Sequence, residues 1–361
     1  MKILHVIYGL PMAGAEKLIV DFAPKLVSLG HEVDVFIFDG VETPFYHALK
    51  DSGIIIMKSG KGHPFFYDLR NIPNLIKVIG KYDIIHTHTT PAQLFVAIAK
   101  MLCRAKAKLV TTEHSTNNHR RGKWYFKILD KWMYNRYQHI ICISETSKLN
   151  LEKQIGKKNN ISVIENGIDV ETFHKAKPVS RESLGCKDSD FVMTMVARFC
   201  DAKDQNTIIR ALKHLPEDCK LVLVGSGDLQ SACEKVAIEE KVNDRVKFVG
   251  IRKDVPAVLH ASDVIIMSSH WEGLSLSSVE GMSVDKPFIA SDVEGLREVV
   301  GGAGLLFKEG DSEELATIIT KLRTDNEFYQ KVAKQCYERA LKYDISTLVR
   351  EYNQIYQNLL K

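Results

Sequence analysis

The chain has 361 residues, 45% of them hydrophobic and 26% charged, with a formal net charge of +4. That length exceeds one ordinary core and suits two domains, and no apolar run approaches the ~20 residues that a membrane-spanning helix needs. Seven scattered cysteines without a Cys-x-x-Cys pair argue against a disulfide framework or a zinc site and fit reduced thiols in the cytoplasm.

In chain order, the run from Met1 to Tyr8 has one basic residue and no small-residue cleavage site, so it reads as a strand and not as a signal peptide. Strand signals follow at 32–38, 54–58, 83–88, 108–113, 139–143 and 161–165, with helices predicted over 15–29, 67–81, 91–103, 124–138 and 145–155. Continuous apolar strands separated by helices mean a parallel sheet covered on both faces. The periodicity lapses after Asn166-Gly167-Ile168, and a second alternation then starts. Its strands are expected at 191–197, 220–225, 246–250, 263–267, 287–291 and 304–307, and its helices at 204–214, 228–241, 254–261, 274–284, 295–300 and 312–323. The pattern is α/β, with doubly wound Rossmann-like domains at 1–168 and 191–342, a connector at 169–190 and a terminal helix at 343–361.

Charge is uneven along the chain. Residues 100–136 hold ten basic and two acidic side chains. Arg120, Arg121, Lys123 and Trp124 lie in that segment with Tyr125 and Trp132, the mixture of cations and aromatics that suits an anionic membrane surface.

Several strand ends carry chemistry. The loop Tyr8 to Glu16 joins the first strand to the first helix and has glycines at 9 and 14, matching neither the dinucleotide fingerprint nor the Walker loop. His86 and His88 close the fourth strand and His114 follows the fifth. His86 and His88 are read as pointing to opposite faces, and so not as one metal site. Asp188-Ser189-Asp190 has a metal-like spacing but lies in the connector and reads as turn residues. Arg198 and Lys203, five apart after the first strand of the second domain, suit a diphosphate, with Arg binding bidentately and Lys as a point charge. Gly225 and Ile251 follow the next two strands. Glu272 precedes and Glu280 lies within a helix expected to open near Gly273, Leu274 and Ser275, whose N-terminus favours phosphate. Two carboxylates so separated serve different parts of one ligand.

Taken in order, the Gly14 loop, His114, Asn166-Gly167-Ile168, Arg198 with Lys203, the Gly225 loop and Glu272 with Glu280 resemble glycosyltransferase family 4 across the whole chain. The resemblance implies a GT-B fold, two Rossmann-like domains facing across a cleft with the last helix crossing back to the first, and transfer of a hexose or N-acetylhexosamine with retention and without a metal or other cofactor. It implies Arg198, Lys203, Glu272 and His114 as catalytic residues. Gly14, Gly225, Ile251, Gly273, Leu274, Ser275 and Glu280 would hold a nucleotide sugar, with UDP favoured. His88, Arg120, Arg121, Lys123 and Trp124 would face a saccharide acceptor, lipid-linked at the membrane, in cell-surface polysaccharide synthesis. Ala13 stands where the family's loop usually has glycine. Nucleic acid is not an expected partner. A sugar-nucleotide epimerase or hydrolase of the same fold, or a non-catalytic membrane-associated scaffold, are the competing readings.

Overall fold

A computed structural model describes residues 1–11, 13–60, 67–114, 123–272 and 275–361. The chain divides into two compact units, Met1–Gly167 with Ile345–Lys361, and Ile168–Asp344.

The first unit is built on seven strands, β1 (Lys2–Ile7), β2 (Glu32–Ile37), β3 (Ile55–Lys58), β4 (Ile84–His88), β5 (Lys108–Glu113), β6 (His139–Cys142) and β7 (Ile161–Val163), in the order β3-β2-β1-β4-β5-β6-β7. All pairings are parallel. Ile3, Leu4, Val6 and Ile7 are all inaccessible, because β1 is covered on both faces. On one face the helix Gly14–Ser28 buries Leu18, Ile19, Phe22 and Leu26, a spacing that makes one helical stripe. The last helix, Ile345–Leu360, packs Leu348, Val349, Tyr352 and Tyr356 into the same core, with the Tyr352 and Phe22 rings 4.9 Å apart.

The second unit has six parallel strands, β8 (Phe191–Val196), β9 (Cys219–Val224), β10 (Val246–Gly250), β11 (Val264–Met267), β12 (Phe288–Ser291) and β13 (Leu305–Phe307), in the order β10-β9-β8-β11-β12-β13. In each unit the first strand lies between an outward-running set and a returning one, so the order reverses at β1/β4 and at β8/β11. Ligands of open α/β sheets bind outside the carboxyl ends of the strands at such a reversal.

Three local readings change. Residues 169–190 belong to the second unit and are not a free connector. Asp169 caps the helix Val170–His174 through the Thr172 amide, and Val170 and Phe173 enter the core. A helix over Pro44–Asp51 went unread because it is short. Thr43 caps it through the Tyr46 amide, and proline opens it. The helix expected from 274 spans Leu276–Met282, which places Glu280 one turn inside it.

Candidate functional site

In the second unit the loops leaving β8 and β11 are tied to each other. The Asp204 amide donates to Ser268 O at 2.8 Å, the His270 amide donates to Ala202 O at 3.0 Å, and Lys203 and Ser269 form an antiparallel bridge. The Ser291 hydroxyl at the end of β12 anchors Ser269, accepting from its amide at 2.8 Å and donating to its carbonyl at 2.7 Å. This frame sets Lys203 Nζ against Glu272 Oε1 in an ion pair, and the same carboxylate oxygen accepts from Ser269 Oγ at 3.0 Å. The pair is largely withdrawn from water, at 16% and 15% side-chain exposure. Burial pushes the Lys203 ammonium below its ordinary pKa. Arg198, by contrast, is exposed, and among the described residues its guanidinium pairs with no carboxylate; Gln205 Nε2 donates to its carbonyl at 3.1 Å. An anion arriving here therefore meets one free cation and one that is already paired.

Gly225 has φ +137, and a Cβ on it would lie 2.1 Å from Ala197 O. The same is true of Gly227 against Phe199 O, at 2.1 Å. Only glycine lets the loop after β9 press against the Arg198 loop, so Gly225 is required by the chain's own packing, whatever it binds. Ile251 stands beyond β10, 71% exposed. Ser275 is buried and its hydroxyl accepts from Ser278 Oγ at 2.9 Å, without capping the helix amides. Gly273 and Leu274 lie outside the described residues.

In the first unit, a Cβ on Gly9 would meet Asp39 Oδ2 at 2.0 Å, whereas one on Gly14, the first residue of its helix, would meet nothing within 4 Å among the described residues. Four histidines gather at the β1/β4/β5 edge. His5, His86 and His88 are completely buried and His114 partly so. His88 shares one ring nitrogen with His5, Nε2 to Nδ1 at 3.0 Å, and the other with His114, Nδ1 to Nε2 at 3.0 Å. His86 is held by Tyr356 OH at 2.5 Å and Thr112 Oγ1 at 2.8 Å. The expectation that His86 and His88 diverge fails. Residues two apart on a strand share a face, and their rings stack at 4.3 Å. His5, His86 and His88 bring nitrogens within 4.8 Å of one another, the one such grouping among the described residues, yet both nitrogens of His86 and His88 are already engaged. His88 is also too deep to face an acceptor directly. Burial lowers all four, His5 to about 3, His114 to about 4, and His86 and His88 well below the ordinary value, so each is a neutral imidazole at pH 7.

Two family descriptions match nearly the whole chain, "Glycosyltransferase Family 4" over residues 12–172 and "Glycosyl transferases group 1" over residues 176–339. The chain belongs to glycosyltransferase family 4. It is 28% identical over 287 residues, 74% of each chain, to the Escherichia coli UDP-Gal:alpha-D-GlcNAc-diphosphoundecaprenol alpha-1,3-galactosyltransferase. It is 25% identical over 236 residues, 63% of this chain and 62% of the other, to the Campylobacter jejuni N,N'-diacetylbacillosaminyl-diphospho-undecaprenol alpha-1,3-N-acetylgalactosaminyltransferase. The fold matches that of Anabaena Alr3699/HepE crystallised with UDP, with a TM-score of 0.81 and 24% identity over 99% of this chain and 100% of that one.

In this glycosyltransferase the helix Trp124–Tyr134 docks by its far end, where Met133 and Tyr134 are buried, and leaves Trp124 75%, Tyr125 48% and Ile128 64% exposed beside exposed Lys123 and Lys127. Arg120 and Arg121 lie outside the described residues. Among the described residues no helix is long and apolar enough to cross a membrane. Sequence reasoning missed His5, Asp39, Ser269 and Ser291. His5 reads as one more strand residue, and the serines carry no spacing signal; only the sheet order brings them to the site. Asp188-Ser189-Asp190 is a turn in which Asp190 Oδ2 accepts from the Lys187 amide at 2.7 Å.

Proposed function

We propose that this family 4 enzyme moves a hexose or N-acetylhexosamine from a UDP-sugar to a lipid-linked saccharide in cell-surface polysaccharide synthesis, with retention at the anomeric carbon and without a metal ion. The observation that carries the reading is the Lys203–Glu272 pair at the β8/β11 reversal, beside the free Arg198 guanidinium. As the nucleoside diphosphate departs, charge builds on phosphate oxygens. Arg198 can meet it bidentately, and Lys203, largely withdrawn from water, as a point charge. Glu272 then turns to hydroxyls of the transferred sugar, and Glu280, one turn into its helix, holds the ribose. Ile251 flanks the base.

Retention is supported by the α linkages in the names of both relatives, and the acceptor class by the diphosphoundecaprenol in each. The acceptor lies on the first unit, with His114 touching the sugar or acceptor. The exposed Trp124, Tyr125 and Ile128 with Lys123, Arg120 and Arg121 rest on the anionic inner face of the cytoplasmic membrane. No nucleophile is needed if the leaving phosphate itself takes the acceptor proton. The test is incubation with UDP-galactose, UDP-glucose and their N-acetyl forms plus diphosphoundecaprenol-linked GlcNAc, read by mass spectrometry and by anomeric NMR. The expected result is an α-linked product formed equally with and without EDTA. UDP release that is the same with and without acceptor would make the protein a hydrolase, and metal-dependent turnover would end the metal-free reading.

A further inference from the structure

The three linked imidazoles constrain one another. A neutral imidazole has one N–H and one lone pair, and each N···N bond needs one of each. His5–His88–His114 therefore has only two neutral states, with every proton pointing toward His114 or every proton pointing toward His5. The two differ at the inner end. Among the described residues His5 Nε2 is buried without a hydrogen-bond partner. In the first state it is a bare lone pair, and in the second an orphaned N–H. An unpaired buried donor is the rarer and costlier of the two, and the neighbouring Phe22 ring, 5.6 Å away centroid to centroid, offers at most a weak N–H···π contact. We propose that His5 and His88 are positioning residues that hold His114 as the tautomer with its proton on Nδ1, so that His114 presents a hydrogen-bond donor, and not a base, to the hydroxyl it meets.

The functional half rests on His114 being a ligand contact. A donor there orients a sugar or acceptor oxygen through its lone pair and cannot take that hydroxyl's proton, which leaves the proton to the departing phosphate. His86 is not part of the chain; it stacks on His88 and fixes the ring plane, held in turn by Tyr356 and Thr112.

The tautomer is read directly in the full chain labelled with ¹⁵N-histidine, from long-range ¹H–¹⁵N correlations, with the His114 signals identified by their loss in His114→Gln. The expected pattern is a protonated Nδ1 and a bare Nε2 on His114. A proton on His114 Nε2 overturns the proposal. The second arm is kinetic, with UDP-galactose as donor. His88→Leu lowers kcat/KM by about tenfold, the worth of one hydrogen bond to a buried group, and His88→Asn, whose amide N–H stands near the place of Nδ1–H, restores it. Equal loss in both variants sinks the relay. His114→Ala with undiminished transfer removes His114 from the ligand, and so overturns the functional half, while the tautomer measurement still judges the rest.

Discussion

Lys203 and Glu272 are each about 85% withdrawn from solvent and face each other, so removing one leaves the other charged and poorly solvated. Cutting a fully buried pair costs ~3–5 kcal/mol. Here Ser269 still donates to Glu272 and some water remains, so Lys203→Met is expected to cost the second unit about 2–3 kcal/mol and Glu272→Gln about the same. The double variant leaves no orphaned charge and should cost clearly less than the two together, a coupling of about 1–3 kcal/mol. Trp271 is the single tryptophan between Ile168 and Asp344, so in a Trp124→Phe, Trp132→Phe background its fluorescence follows urea unfolding of this unit alone. The same variants separate the two roles. Lys203→Met should weaken UDP binding about tenfold or more, through one lost charge-assisted hydrogen bond, whereas Glu272→Gln should leave UDP binding unchanged or tighter, because it frees Lys203 and removes a negative charge. Additivity within about 0.5 kcal/mol, or equal weakening of UDP by both, would refute the pairing argument.

Arg198 is exposed and free of carboxylates, so Arg198→Ala should leave the melting temperature nearly unchanged while lowering kcat/KM on the order of a hundredfold, as measured in the transfer assay. The glycines should split. Gly225→Ala forces a Cβ to within 2.1 Å of Ala197 O at φ +137 and should destabilise by about 2–4 kcal/mol, whereas Gly14→Ala meets open space and should change unfolding by less than about 0.5 kcal/mol, any defect appearing in UDP-sugar binding. The buried neutral histidines give an acid signature. Their folded pKa values lie below the unfolded value of 6.5, so the unfolded chain binds protons first and stability is lost as pH falls below about 6.5. For His5, His86 and His88 this predicts a progressive loss of stability between about pH 7.5 and 5.5, read by chemical denaturation of the first unit, and a flat profile would contradict it. Finally, Trp124→Ser with Ile128→Ser should reduce sedimentation with anionic phosphatidylglycerol vesicles without altering the fold, as judged by circular dichroism.

The sheet, and with it the place of the candidate residues at its carboxyl edge, was legible because parallel strands buried on both faces leave unbroken apolar runs, and β1, β4, β8 and β11 each read directly from such runs. Arg198, Lys203 and Glu272 were legible for a related reason. Each follows a strand end, and the carboxyl edge is where an open sheet keeps its chemistry. What stayed hidden depends on strand order, which periodicity does not carry. Lys203 and Glu272 are 69 residues apart and meet only because β11 returns to the side of β8 opposite β9.

The histidines make the same point from the other unit. His86 and His88 were assigned to opposite faces, although a period of two places them on one, and His5 drew no attention within an ordinary strand run. Parallel register sets His5 beside His86, and β5, on the other side of β4, leads into His114. A chain of three linked imidazoles is costly to bury, since each must stay neutral and each must find its partners within the chain. One that is satisfied at every nitrogen shown except His5 Nε2 and the outer nitrogen of His114 has only two ends. Because the inner end is sealed, any preference there is carried to the outer one, so the proposed relay lets His5, a buried strand residue, decide which nitrogen of His114 carries the proton.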